Sequence, residues 1–152
     1  MNKTLEFIKS ILIPVILGGI VGLIISNFMD YDIINKPPLS PPAILFPIVW
    51  TILYILMGIS YGILKTNNLV DDKVKSVYYT QLLTNVTWPI IFFAFKWRFI
   101  AIIWIIVLLI LIIYMTILFY KKNKFAGLLQ IPYIIWTIFA TYLTIGVYVL
   151  NR

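Results

Sequence analysis

Residues 99–120 read FIAIIWIIVLLILIIYMTILFY, an apolar run without a single charged side chain. A helix needs about 20 such residues to cross the hydrocarbon core of a bilayer. Lys96 and Arg98 precede the run, and Lys121 and Lys122 follow it. Basic side chains at both ends of an apolar run are typical of a segment whose ends lie at the lipid headgroups. The stretch therefore predicts a transmembrane helix.

Four further apolar runs of similar length surround this one. They predict spans at residues 7–28, 43–64, 77–95 and 126–150. Hydrophobic residues make up 62% of the chain and charged residues 11%, against about 45–50% apolar residues in an ordinary soluble domain. Lipid must therefore cover much of the surface. We predict an all-α membrane protein, a bundle of five transmembrane helices that forms a single domain over residues 1–152.

The distribution of Lys and Arg predicts the orientation of the bundle. Eight of these residues lie in the N-terminal tail and the second and fourth loops, and four lie on the other side. Because cytoplasmic loops carry the excess of basic residues, we expect a cytoplasmic N-terminus and a C-terminus outside. The net charge of +7 then reflects topology and contact with membrane lipid, and nucleic acid is not an expected partner. Usage rich in Ile, Lys and Asn and poor in Ala favours a prokaryotic plasma membrane.

Residue types that are missing exclude several kinds of chemistry. The chain has no Cys and no His, so thiolate nucleophiles, disulfides and the usual zinc and haem-iron ligands are excluded. We therefore predict neither a metal site nor a resident cofactor. All five acidic residues lie outside the predicted spans, which argues against an ion-coupled transporter and against an acid–base pair in the core. They are Glu6, Asp30, Asp32, Asp71 and Asp72.

Aromatic and amide side chains supply the polarity that remains inside the spans. Asn85 needs a hydrogen-bond partner in hydrocarbon, and either another helix or a ligand would satisfy it. Trp and Tyr near span ends form interfacial belts or line a pocket for a flat apolar ligand, and composition leaves both open. The pairs Gly18/Gly22 and Gly58/Gly62 indicate close helix packing, within one protomer or across a dimer seam.

Three stretches carry a more specific pattern. Residues 36–58 contain K-P-x-x-x-P-P and V-W-T-x-L-Y-x-x-M-G, residues 81–93 contain Q-L-x-x-N-x-x-W, and residues 132–143 contain P-Y-x-x-W-x-x-F-A-T-x-L. These motifs resemble those of the TspO/MBR family, the tryptophan-rich sensory proteins and relatives of the translocator protein. They occur in the family's order and cover essentially the whole chain.

The resemblance implies a five-helix bundle, often a homodimer, with a pocket under the first loop for porphyrins, sterols or synthetic aromatic ligands. It implies a sensor or regulator of tetrapyrrole metabolism or stress, with protoporphyrin or haem as the ligand. Matching the family's positions assigns seven residues to the pocket. They are Tyr31, Trp50, Tyr54, Asn85, Trp88, Trp136 and Ala140.

Two other functions stay open beside the sensor. The resemblance allows light-dependent degradation of protoporphyrin, for which Trp50 and Trp136 would be the catalytic residues, and it allows a carrier of porphyrin or sterol-like solutes. Leu143, Tyr148 and Arg152 satisfy a loose sterol-recognition pattern. An interfacial Tyr and a terminal Arg explain that match equally well.

Overall fold

The computed structural model describes residues 2–152, and no strand occurs among them. A π-helical turn at Ile90–Ala94 continues the third helix. The helices are α1 (Lys3–Ile25), α2 (Leu45–Thr66), α3 (Asp72–Pro89), α4 (Arg98–Lys122), the short α5 (Lys124–Leu128) and α6 (Ile131–Asn151). The predicted all-helical fold is confirmed.

Four stretches are long and apolar enough to cross a bilayer: α1, α2, α4, and α5 and α6 taken together. The third helix is more polar, since its first turns contain Asp72, Lys73 and Lys75. Apolar residues are concentrated near its other end and in the π-helical turn that follows. The bundle therefore has four or five membrane-spanning helices, where the sequence predicted five.

Two helix boundaries differ clearly from the predicted spans. The third helix begins at Asp72 and not at residue 77, because the Asp71 carboxylate accepts a hydrogen bond from the Val74 backbone N–H at 2.8 Å and caps the helix. The last predicted span, 126–150, is interrupted after α5. Pro132 has no N–H to donate to the Leu128 carbonyl, so the chain turns there and restarts as α6.

Helix packing places the five long helices around a common interior. The first helix, α1, packs against α2 and α3, and α2 also packs against α5. The fourth helix, α4, packs against α3, α5 and α6. The fourth helix contributes a large share of the side chains with no exposed surface, among them Ile105, Ile112, Met115 and Phe119. It thus forms one wall of the bundle, in contact with α3, α5 and α6.

Three of the four predicted packing glycines lie at close contacts within the protomer. These are Gly18, Gly58 and Gly62. A Cβ atom at Gly58 would lie 2.5 Å from the Ile11 Cα atom of α1, so α2 approaches α1 backbone to backbone. Gly22 makes no such contact within the protomer, because a Cβ atom there would meet no atom beyond its own stretch of helix within 4 Å, so for this glycine the dimer seam stays a prediction.

Most lysines gather at one end of the bundle, which we call the Lys-rich end. The 67–71 loop and the turn at Asn123 both lie there, because Lys122 at the end of α4 donates to the Asp71 carboxylate before α3, at 2.8 Å. Hydrogen bonds from Lys122 and from the Val74 backbone lower the pKa of Asp71. Since α5 and α6 follow the end of α4, both α3 and α6 start at this end and run in the same direction.

Candidate ligand-binding site

A cavity of about 550 Å³ lies between α1, α2, α3 and α6, beneath the loop formed by residues 26–44, which we call the lid loop. All seven residues predicted for the pocket line this cavity: Tyr31, Trp50, Tyr54, Asn85, Trp88, Trp136 and Ala140. None of its lining residues is charged. Volume and lining are those of a site for an apolar small molecule. The binding role of the seven residues stays a prediction.

Aromatic rings form much of the cavity wall. The rings of Trp50 and Trp136 meet nearly at right angles, with their centroids 6.4 Å apart. Tyr54 lies 6.0 Å from Trp50 on the same helix. Across the cavity, Trp88 stacks on Phe92 at 5.0 Å. Such tilted, stacked and edge-to-face pairs stabilise the wall beyond the apolar area that they bury.

Two indole N–H groups on this wall are buried and unpaired. Nε1 of Trp88 and Nε1 of Trp136 have no hydrogen-bond partner among residues 2–152. Trp104, on the far side of α3, is different, because its Nε1 donates to the Thr84 carbonyl at 3.0 Å. A buried donor without a partner is unfavourable. Both indoles therefore lie on the cavity wall with a donor that no other group of residues 2–152 satisfies.

The π-helical turn directs two aromatic side chains into the cavity. Its wider spacing is visible where the Phe95 backbone N–H donates to the Ile90 carbonyl at 3.0 Å, five residues back. Pro89, just before the turn, has no N–H and weakens the regular helical pattern. Phe92 and Phe93 consequently both line the cavity. Insertions of this kind are frequent at functional sites, and the sequence motif alone did not predict this one.

Asn85 is held by two helices besides its own. The Tyr54 hydroxyl of α2 donates to Asn85 Oδ1 at 2.6 Å, and Asn85 Nδ2 donates to the Tyr133 hydroxyl of α6 at 2.5 Å. Tyr133 in turn donates to Gln81 Oε1 at 2.8 Å. One hydrogen bond at each end of the amide confirms an interhelical role for Asn85. Because the amide can make further hydrogen bonds and lines the cavity, its contact with a ligand stays a prediction. Neither Tyr133 nor Gln81 was predicted for this network, although both stand in the quoted motifs.

Tyr31 anchors the lid loop above the cavity. Its hydroxyl donates to the Pro41 carbonyl. The Lys36 amino group donates to the Tyr31 carbonyl at 2.7 Å and lies 4.9 Å from the centre of the ring. Burial raises the pKa of Tyr31, a hydrogen bond with Ser40 opposes this rise, and the charge of Asp32 adds to it. Tyr31 is thus a neutral hydrogen-bond donor at neutral pH.

The lid loop is fastened to α6 by paired amides and by close packing. The Asn35 backbone N–H donates to Asn151 Oδ1 at 3.0 Å, and Asn151 Nδ2 donates back to the Asn35 carbonyl at 2.7 Å. The Pro37 ring lies against Gly146, where a Cβ atom would come within 2.5 Å of Pro37 Cγ. The lid loop therefore packs so tightly against α6 at Gly146 that a larger residue would overlap the Pro37 ring.

Arg98 fastens the beginning of the lid loop to α4. Its Nη2 donates to both carboxylate oxygens of Asp30, at 2.7 and 2.8 Å. Its Nε donates to the Phe92 carbonyl in the π-helical turn at 3.3 Å. Only 13% of each charged side chain is exposed. One guanidinium group thus ties the lid to the turn that lines the cavity.

Replacing Gly146 by alanine should loosen the lid loop without unfolding the bundle. The new methyl group would overlap the Pro37 ring, so we expect backbone amides of residues 31–40 to exchange with deuterium about fivefold faster, a loss of about 1 kcal/mol of local stability. Hydrogen exchange followed by mass spectrometry measures this. Gly19→Ala adds the same methyl group where no atom lies within 4 Å and should leave the lid unchanged. Equal exchange in both variants would contradict the packing described here.

The three residues of the sterol pattern do not share one surface. Leu143 is buried on the cavity wall. Tyr148 contacts Phe99 of α4, with ring centroids 5.6 Å apart. Five residues along a helix correspond to a rotation of about 140°, so Leu143 and Tyr148 point to different sides of α6. Arg152 follows the helix and is exposed.

The chain matches a known family over nearly its whole length. The model of the TspO/MBR family matches residues 10–150. Protein CrtK of Rhodobacter capsulatus is 36% identical over 88% of this chain and 86% of its own length. The tryptophan-rich sensory protein of Cereibacter sphaeroides is 33% identical over 73% and 70%. The human translocator protein is 30% identical over 73% and 68%. The chain therefore belongs to the TspO/MBR family of membrane proteins.

Proposed function

We propose that the cavity binds a tetrapyrrole, protoporphyrin or haem, and that the protein acts as a sensor or regulator of tetrapyrrole metabolism or stress. The observation that carries this proposal is the single cavity in which all seven predicted residues meet. Its volume suits a drug-sized ligand, and its uncharged aromatic wall suits a flat apolar ring. The name of the relative from Cereibacter sphaeroides, a sensory protein, agrees with a sensing role.

The arrangement of the wall suggests how such a ligand is held. A flat ring stacked on Trp50 would meet the edge of Trp136, because the two indoles stand at 87° to each other. The unpaired N–H groups of Trp88 and Trp136 would donate to acidic substituents of the ring. Tyr31 closes the cavity from the lid loop. In this scheme Asn85 orients Tyr54 and Tyr133 on the cavity wall.

Replacing Trp50 and Trp136 together by phenylalanine should weaken protoporphyrin binding at least tenfold, since each indole provides stacking area that a phenyl ring only partly replaces. Protoporphyrin IX is titrated into the purified protein in detergent, and binding is followed by the absorbance of the porphyrin itself. Trp97→Phe is the matched control, because 58% of Trp97 is exposed and it lies outside the cavity. Unchanged affinity in the double variant, or no saturable binding to the wild type, would refute the proposal.

The contact between Trp50 and Trp136 also supports a second candidate, light-dependent degradation of bound protoporphyrin by molecular oxygen. No lining residue carries a carboxylate or an imidazole, so indole and tyrosine side chains are the groups available there. Illumination at saturating porphyrin tests it in the same variants. An equal rate of absorbance loss per bound porphyrin in wild type and double variant would exclude a catalytic role for the two indoles.

We further propose that the N-terminus lies in the cytoplasm, that the membrane is a prokaryotic plasma membrane, and that the protein is a homodimer. The excess of lysine at the Lys-rich end and the bacterial relatives support the first two. The homodimer is supported by the family resemblance and by exposed apolar faces that either lipid or a second copy can cover. These include Ile16, Ile20 and Leu23 of α1 and Ile103, Ile110 and Ile117 of α4.

A further inference from the structure

Two polar stripes face each other inside the apolar bundle. One lies on α3, and the other lies on the start of α6 and the residue before it. Both have members at the same spacing of three and then four residues, so that each stripe occupies one face of its helix. The stripes are Tyr78, Gln81 and Asn85, and Gln130, Tyr133 and Thr137, each with at most 2% of its surface exposed.

The stripes are joined at their centres. The Tyr133 hydroxyl donates to Gln81 Oε1 and accepts from Asn85 Nδ2. Because α3 and α6 both start at the Lys-rich end, three residues back along each helix is a step of about 4.5 Å in the same direction. That step leads from Gln81 to Tyr78 on α3 and from Tyr133 to Gln130 before α6. Tyr78 and Gln130 therefore lie at the same level, beside the Lys-rich end of the network.

Those two side chains are not satisfied by the protein. The Tyr78 hydroxyl and both amide atoms of Gln130 have no hydrogen-bond partner among residues 2–152. Tyr78 cannot readily turn elsewhere, because its ring is stacked between Tyr61 at 4.2 Å and Phe119 at 6.1 Å. An amide and a hydroxyl left dry in an apolar core are unfavourable, and native proteins satisfy such groups. A partner from outside the polypeptide would satisfy both side chains.

We propose that this place is a binding site for internal water, held between the Tyr78 hydroxyl and the Gln130 amide. Water both donates and accepts, as does this pair, since Tyr78 and Gln130 Nε2 can donate and Gln130 Oε1 can accept. Three polar groups are the usual number around a buried water molecule. An ion would fit poorly, because neither stripe contains a charged side chain to balance it.

The water site extends the polar network through the bundle. From Gln130 and Tyr78, hydrogen-bonding groups continue through Gln81, Tyr133 and Asn85 to Tyr54, which lines the cavity. A column of polar side chains thus runs from the start of α6 to the cavity. Internal water at this place does not depend on which ligand the cavity binds, so a result against the water site would leave the proposed function untouched.

The chain offers an internal control for a direct test. Gln81 and Gln130 are its two glutamines, so labelling with ¹⁵N-glutamine gives two side-chain amide signals for the protein in liposomes. Solid-state NMR then measures how fast magnetisation from water reaches each one. We expect early transfer to Gln130 and later transfer to Gln81, whose Oε1 is bound by Tyr133. Gln130→Met identifies the signals by removing one of them. Late transfer to Gln130, no faster than to Gln81, would overturn the proposal.

The stability of Gln130→Met gives a second readout whose sign is informative. If the amide holds water, the variant loses hydrogen bonds and its Tm falls, and adding Tyr78→Phe then lowers the Tm by less than it does in the wild type. If the amide is dry, replacing it by a similar apolar side chain removes an unsatisfied group and the Tm rises, which contradicts the proposal. If the NMR transfer and the change in Tm point to different answers, the NMR result decides.

Discussion

Replacing Gly58 by alanine should destabilise the protein by about 3 kcal/mol, the upper end of the range for overpacked sites. The added Cβ atom would lie 2.5 Å from the Ile11 Cα atom and 2.6 Å from the Ser10 carbonyl oxygen. Both are backbone atoms of α1, so no side-chain rotation relieves the overlap and α1 must move away from α2. Reversible unfolding of the purified protein by SDS in mixed micelles measures the free energy.

Gly19→Ala is the matched control for this prediction. It adds the same methyl group in the middle of α1, where no atom lies within 4 Å. Alanine favours the helix over glycine by about 1 kcal/mol, so this variant should be as stable as the wild type or more so. The same chemical change should therefore act in opposite directions at the two positions. Equal shifts would show that α1 and α2 do not make the close contact described here.

The sequence predicted the helices well where apolar length decides the structure. The run at residues 99–120 corresponds to α4, Arg98–Lys122, because a long uncharged apolar segment has few alternatives to a membrane helix. The third helix shows the limit of this argument. Because its first turns are polar, α3 is not among the helices that are long and apolar enough to cross a bilayer. Its start at Asp72 depends on a helix cap, which hydropathy does not detect.

The sequence predicted which residues line the candidate site better than it predicted how they are arranged. Motif resemblance selected seven residues, and the structure places all of them on one cavity. It did not predict the π-helical turn that brings in Phe92 and Phe93, nor the paired contact of Asn35 with Asn151 that fastens the lid. Such features depend on the rotation of each helix and on contacts across more than a hundred residues. Neither is encoded in a local pattern.

For Asn85 the structure shows one of the two kinds of partner that the sequence left open. A lone amide in a span needs a partner, and a ligand or another helix is equally suitable on chemical grounds. The observed partners are Tyr54 and Tyr133. This makes Asn85 the junction of α2, α3 and α6 and gives it a measurable contribution to stability.

Asn85→Leu should therefore destabilise the protein by about 2 kcal/mol even without a ligand. Leucine has a similar volume, but it leaves the Tyr54 hydroxyl without an acceptor and the Tyr133 hydroxyl without a donor, both inside the bundle. Unfolding in mixed micelles again measures the effect. Thr80→Val is the control for exchanging a polar for an apolar side chain on the same helix, and because Thr80 is exposed it should change the stability little.

A double-mutant cycle with Tyr54→Phe tests whether the loss comes from this hydrogen bond. Once the hydroxyl of Tyr54 is absent, Asn85→Leu no longer leaves that group unpaired, so its effect should be smaller by about 1 kcal/mol, within the range for polar contacts between membrane helices. Fully additive effects would show that the two side chains act independently. Asn85 would then return to the alternative the sequence left open, a wall group whose partner is the ligand, and its substitution would change binding and not folding.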